Sequence, residues 1–114
     1  MSLKIKSNSF NNYSIINLSG KGLAEEDFKP LTKTAMDLIQ NHSPNLILNL
    51  QDMEIINSLG LNTLIKIFTK ARNSGGEMYI VNISSKINQV LLLTKLNTVL
   101  NIAKSIDDAK QNFE

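Results

Sequence analysis

The apolar positions of this chain change period several times, and the changes divide it into elements. Leu3 to Lys6 alternates apolar and polar residues, the mark of an edge strand. A turn-rich run, Asn8-Ser9-Phe10-Asn11-Asn12, follows. Tyr13 to Ser19 then reads as a second strand ended by Gly20, so the two runs predict a hairpin. Phe28, Leu31, Ala35, Leu38 and Ile39 keep helical spacing. Glu25, Glu26 and Asp27 supply acidic groups for the start of that helix. Pro30 is tolerated in a first turn, which predicts a start near Asp27. Asn41-His42-Ser43-Pro44 ends it, because the residue before a proline leaves the helical region.

Leu46 to Leu50 reads as a buried central strand. From Ser58 the spacing returns to threes and fours through Leu61, Leu64, Ile65, Phe68 and Ala71, until Gly75-Gly76 provides a left-handed stop. Met78 to Val81 is the next strand. A third helix is striped by Ile87, Val90, Leu91 and Thr94, with Ser84 or Ser85 as its cap. Val99 to Ala103 is expected as a short last strand. Ile106, Ala109, Lys110 and Phe113 fit a final helix capped by Ser105. The order is β-β-α-β-α-β-α-β-α. Strands joined through helices require parallel pairing, so the expectation is an α/β fold with a mixed, mostly parallel sheet flanked by helices. Without repeat, linker or low-complexity tract, residues 1–114 read as a single domain.

Composition narrows the function. An apolar content of 42% suffices for a core. A net charge of +2, with no basic block, argues against nucleic acid as a partner. The absence of cysteine removes thiol chemistry and Cys-ligated metals, and the single histidine, His42, leaves no basis for a metal site. No apolar run reaches membrane-spanning length, and Met1 to Lys6 lacks the apolar segment of a signal peptide. The expectation is a soluble cytoplasmic protein without cofactor or membrane insertion.

Several residues could carry chemistry. Asp52 and Glu54, two apart at a strand exit, would point the same way on an extended backbone and share a site, or they are solvated loop carboxylates. His42 belongs at a helix end on the surface. Gly20-Lys21-Gly22 and Gly75-Gly76 lack the spacing of phosphate loops and read as turn punctuation. Asn57-Ser58-Leu59-Gly60 stands at a helix start after a strand. Asn57 is a suitable N-cap. Ser58 either favours the helix start or offers a hydroxyl whose phosphorylation would meet the positive end of the helix dipole. Leu59 lies about 200° from Leu61 at 100° per residue. The same wheel puts Thr63, Lys66 and Lys70 beside it on the outer face, a place for a binding anchor.

The stretch Asn49-Leu50-Gln51-Asp52-Met53-Glu54-Ile55-Ile56-Asn57-Ser58-Leu59-Gly60-Leu61, with Ser74-Gly75-Gly76-Glu77-Met78 downstream, resembles the STAS domain of bacterial anti-sigma factor antagonists. Gly20 at the end of strand two, the element order and Asn82-Ile83-Ser84 with Val90, Leu91 and Leu96 extend the resemblance over nearly the whole chain. It implies a domain that acts by binding and has no catalytic residues. Its partner would be an anti-sigma factor or related GHKL-type serine kinase, with a PP2C-type phosphatase reversing phosphorylation, and the chain would be a monomer or weak dimer. The resemblance puts Asn57 at the motif aspartate and Leu59 at the phosphoacceptor, where no phosphate can be accepted. Leu23 stands where antagonists usually carry an acidic residue, unless Glu25 or Glu26 takes that place. The implied partner surface is Asn57, Ser58, Leu59, Gly60, Thr63, Lys66, Lys70 and Leu23, with Ser58 as the remaining hydroxyl for phosphorylation. STAS domains also serve as regulatory subunits of lipid-transporting ABC ATPases and in stress-signalling scaffolds, and that is the alternative reading. An enzymatic reading would rest on Asp52 and Glu54.

Overall fold

The computed structural model describes residues 3–114. Two strands open the chain, β1 (Leu3–Ser9) and β2 (Ser14–Gly20), paired antiparallel with Leu3 opposite Gly20 and Ser9 opposite Ser14. The hairpin is therefore as expected, but β1 runs three residues further than its alternation suggested, taking in Ser7, Asn8 and Ser9. Pairing with β2 satisfies the backbone groups of these residues that face it, so their side chains need not be apolar. Next come α1 (Glu25–Asn41), β3 (Leu46–Asp52), α2 (Ser58–Asn73), β4 (Met78–Val81) and α3 (Ser85–Leu93). A 3-10 turn at Leu96–Thr98, β5 (Asn101–Ala103) and α4 (Ile106–Lys110) complete it. The five strands lie side by side in sequence order. From β2 onward every pairing is parallel.

The two faces of the sheet are covered unequally. Ile16 and Leu18 of β2, Leu46, Leu48 and Leu50 of β3, and Met78 and Ile80 of β4 point to one face. There they meet Phe28, Leu31, Ala35 and Ile39 of α1, Leu64, Ile67, Phe68 and Ala71 of α2, and Ile87 and Leu91 of α3. The opposite face holds a smaller cluster of Tyr13, Ile15, Ile47, Val81 and Ala109, with Ile106 and Phe113 packed against it. One five-residue helix, α4, brings in Ile106 and Ala109. The apolar run of β3 is thus explained by burial on both faces.

Four expectations need correction. Helix α1 starts at Glu25, before Asp27, and Pro30 lies in its second turn. Ala24 has no oxygen with which to cap, so the Asp27 carboxylate reaches back and accepts from the amides of Leu23 and Ala24, each at 2.9 Å. Pro30 is exposed, and the hydrogen bond it forgoes belongs to Glu26, also exposed, whose carbonyl water can serve. In α2, Ile67 is fully buried while Ile65 is only half-buried, because the helix packs beside α1 as well as on the sheet and its buried arc turns that way. Thr94 caps the end of α3 and is exposed. Val99 is exposed outside β5, since the 3-10 turn consumes the residues before Leu100.

Candidate partner-binding site

The segment between β3 and α2 is pinned before it reaches the helix. The Met53 amide donates to the Leu50 carbonyl at 3.0 Å, turning the chain and burying the Met53 side chain. The Ser84 hydroxyl donates to the Glu54 carbonyl at 2.6 Å while it caps α3 through the Ile87 amide. Lys86 Nζ lies 2.9 Å from Glu54 Oε1. The hydrogen bond from Lys86, with its charge, holds the Glu54 carboxyl below its ordinary value. Asp52 instead ends β3 opposite Ser19. The extended backbone that would align Asp52 and Glu54 is broken by the turn at Met53, so the two carboxylates do not form a pair. His42 is exposed at the end of α1, with Nε2 against the Phe10 carbonyl oxygen. Among the described residues, no group of three or more His, Cys, Asp or Glu is placed to hold a metal.

Asn57 is the N-cap of α2, and its Oδ1 accepts from the Gly60 amide at 2.9 Å. Its Nδ2 lies 3.4 Å from the Leu23 carbonyl oxygen, which ties the β2–α1 loop to the helix tip. A second tie is apolar. Phe28 of α1 lies against both Gly22 and Gly60, and a β-carbon on Gly22 would stand only 2.5 Å from its Cζ. The residues flanking these glycines, Leu23 and Leu59, are thereby brought to the same end of the molecule. Leu23 is 67% exposed and Leu59 37%. Ile55, in the segment entering α2, is 42% exposed. The wheel for α2 could not reach Ile55, which lies before the helix, although an apolar residue outside both the strand and the helix period was a usable sign.

Ser58 is exposed in the first position of α2. Lys66 and Lys70 are exposed on the helix's flank, and neither makes an ion pair with a described residue. No carboxylate occurs in α2, so the only charges on its exposed side are positive, and the dipole adds positive potential at the tip. Two residues of the expected surface are placed otherwise. Thr63 is buried at 9% exposure, with Oγ1 donating to the Leu59 carbonyl at 2.9 Å, so it braces the tip from within. Gly60 is also buried, and its contribution is the room it leaves for Phe28.

A strand feeding a capped helix tip, braced by the preceding loop, within this sheet order, can be compared with known proteins. The family model described as STAS domain matches residues 7–109. The chain belongs to the STAS family. Its relatives include a Thermotoga maritima protein whose name places it among the anti-sigma factor antagonists. That protein is 31% identical over 85% of this chain and 87% of its own length. The crystal structure of an anti-sigma factor antagonist from Mycobacterium paratuberculosis is 20% identical, with a TM-score of 0.83 over 98% of this chain and 94% of that one. The unphosphorylated form of the anti-sigma factor antagonist SpoIIAA is 14% identical, with a TM-score of 0.77 over 97% of this chain and 96% of its own. At those identities the two structures establish the fold. The mixed five-stranded sheet flanked by helices is the STAS fold. No helix among the described residues of this STAS domain is long and apolar enough to cross a membrane.

Proposed function

We propose that this STAS domain binds an anti-sigma factor of the GHKL serine-kinase type through the tip of α2, and so frees a sigma factor, without catalysing a reaction itself. The observation that carries the reading is Leu59, exposed in the second position of α2 at the same end of the molecule as exposed Leu23, with Phe28 and Asn57 holding the two segments together. Two apolar side chains on a rigid support suit the centre of a protein interface. Lys66 and Lys70 follow Leu59 about two and three turns further along the exposed side of α2 and favour a partner that carries negative charge beside an apolar pocket. Leu59 has no hydroxyl, so no phosphate charge is added at that position and docking is constitutive. A kinase acting here would reach only Ser58, and a PP2C-type phosphatase would have only that residue to restore.

The test is reconstitution with the anti-sigma kinase encoded nearest to the gene. Leu59→Asp is expected to weaken the complex by at least about a hundredfold, since it drives a charge into an apolar pocket. Incubation with ATP is expected to leave the mass of the wild-type chain unchanged. An unaltered affinity for Leu59→Asp rules out the tip as the interface. Capture of a lipid-transporting ABC ATPase on the same surface, with no affinity for the kinase, assigns the domain to a transporter instead.

A further inference from the structure

The second face of the sheet is only half covered, and its open half carries a polar grid. Asn17 of β2 stands opposite Asn49 of β3, and Ser19 opposite Asp52 across a register shift. On the other side, Lys6 pairs with Asn17 and Lys4 with Ser19. Lys4, Lys6, Asn17, Ser19 and Asp52 line one cavity of about 290 Å³.

The direction of the amides in this grid is fixed by the backbone. The Gln51 amide, which can only donate, lies 3.1 Å from Asn49 Oδ1. Asn82 Nδ2 donates to the same oxygen at 2.9 Å. The Asn49 amide is thereby oriented with Nδ2 toward Asn17, donating to Asn17 Oδ1 at 2.8 Å. The oxygen of Asn17 is used, and its NH₂ remains at the free end of a polarised chain of amides. That end belongs to a cavity whose other polar side chains are two ammonium ions, neither in an ion pair with a described residue, the Ser19 hydroxyl and the Asp52 carboxylate. Lys4, Lys6, Asn17 Nδ2 and the Ser19 hydroxyl can all donate there, and Asp52 is the one carboxylate in the lining.

We infer that this cavity binds a phosphate ester of a hydroxylated small molecule. Lys4 and Lys6 supply charge, and Asn17 Nδ2 and Ser19 Oγ donate to phosphate oxygens. Asp52 accepts from a hydroxyl of the esterified part. The site lies on the sheet face opposite α2 and is independent of the partner surface.

The test is NMR titration of the ¹⁵N-labelled full chain with glycerol 3-phosphate and with inorganic phosphate, against sodium chloride at matched ionic strength. Glycerol 3-phosphate is expected to give saturable shifts, in the millimolar range, at the Asn17 side-chain NH₂ and at Lys4, Lys6 and Ser19. Inorganic phosphate is expected to bind more weakly. Asn17→Asp keeps an oxygen for Asn49 but turns the free donor into a negative charge, and it is expected to abolish the shifts. Lys4→Gln with Lys6→Gln is expected to weaken binding by about tenfold, and these exposed positions keep the test intact should Asn17→Asp not fold. Vesicles containing phosphatidic acid, compared with pure phosphatidylcholine, distinguish a lipid headgroup from a free ester as the source. Sensitivity to the lysine pair in either arm supports the site. Absence of saturable shifts in both arms, or affinity unchanged in the lysine double variant, overturns it.

Discussion

Phe28 occupies the space that a side chain on Gly60 would need: its Cζ lies 3.0 Å from where that β-carbon would be. Ile56 closes the position from its other neighbourhood, with Cγ1 at 2.6 Å. The close fit is what lets α1 press on the tip of α2. Gly60→Ala gains about 1 kcal/mol of helix propensity but has to displace an aromatic ring and a β-branched chain. The expected net effect is a loss of about 1–2 kcal/mol. Urea unfolding measures it, and combination with Phe28→Leu is expected to recover part of the loss. Full additivity of the two substitutions would show that the glycine and the ring are not coupled.

Asn57→Ala removes the acceptor for the Gly60 amide and the donor facing the Leu23 carbonyl. A lost N-cap costs about 1 kcal/mol, within a range of roughly 0.5–2. Hydrogen exchange is expected to rise at Gly60, where the cap bond ends, together with loss of protection in the β2–α1 loop. A change confined to α2 would mean that Asn57 does not brace that loop.

On the proposed function, Leu59→Ser supplies the hydroxyl that a phosphoswitch at this helix tip would need. The side chain is exposed enough that stability is expected to fall by no more than about 1 kcal/mol. With the cognate anti-sigma kinase and ATP, the variant is expected to gain one phosphate at residue 59 and then release the kinase, because charge at the tip opposes docking. Mass spectrometry with a binding assay reads both steps. Phosphate gained without loss of binding would separate the tip from the interface.

Asp27 accepts from the backbone amides of Ala24 and Leu23, and these bonds lower its pKa from the ordinary aspartate value. A depressed folded-state pKa means that the stabilisation is complete above the unfolded value and is lost as pH falls through the folded one. Asp27→Asn is therefore expected to be less stable than wild type near neutrality, with the difference narrowing in acid below the ordinary aspartate range. Denaturation midpoints across pH 2–7 provide the comparison. A difference that stays constant over that window would assign the loss to the amide's geometry and not to charge.

Much of the fold was legible because period reports burial one element at a time. The run Leu46-Ile47-Leu48 required a strand covered on both faces, and β3 is one. Asn57, Ser84 and Ser105 were readable as caps because capping is local, and each accepts the amide three residues on. The limits were equally physical. Pro30 misplaced the start of α1 because Asp27 supplies a cap from inside the helix, which a rule about the preceding residue does not see. Thr63 fell on the outer face of an isolated wheel, yet in the folded chain it is buried, with its hydroxyl donating to the Leu59 carbonyl.

The sequence by itself determined the order of elements, the parallel sheet that order requires, the capped entry into α2 and a leucine without a hydroxyl in the second position of that helix. These follow from near neighbours along the chain and from side-chain chemistry. Tertiary structure alone decided that Gly22 and Gly60 share one ring, that Leu23 and Leu59 emerge together, that Thr63 faces inward, and that Asn17, Asn49 and Asn82 form a directed chain. Each of these depends on strand register or helix packing between residues distant in sequence, and no local period carries that information.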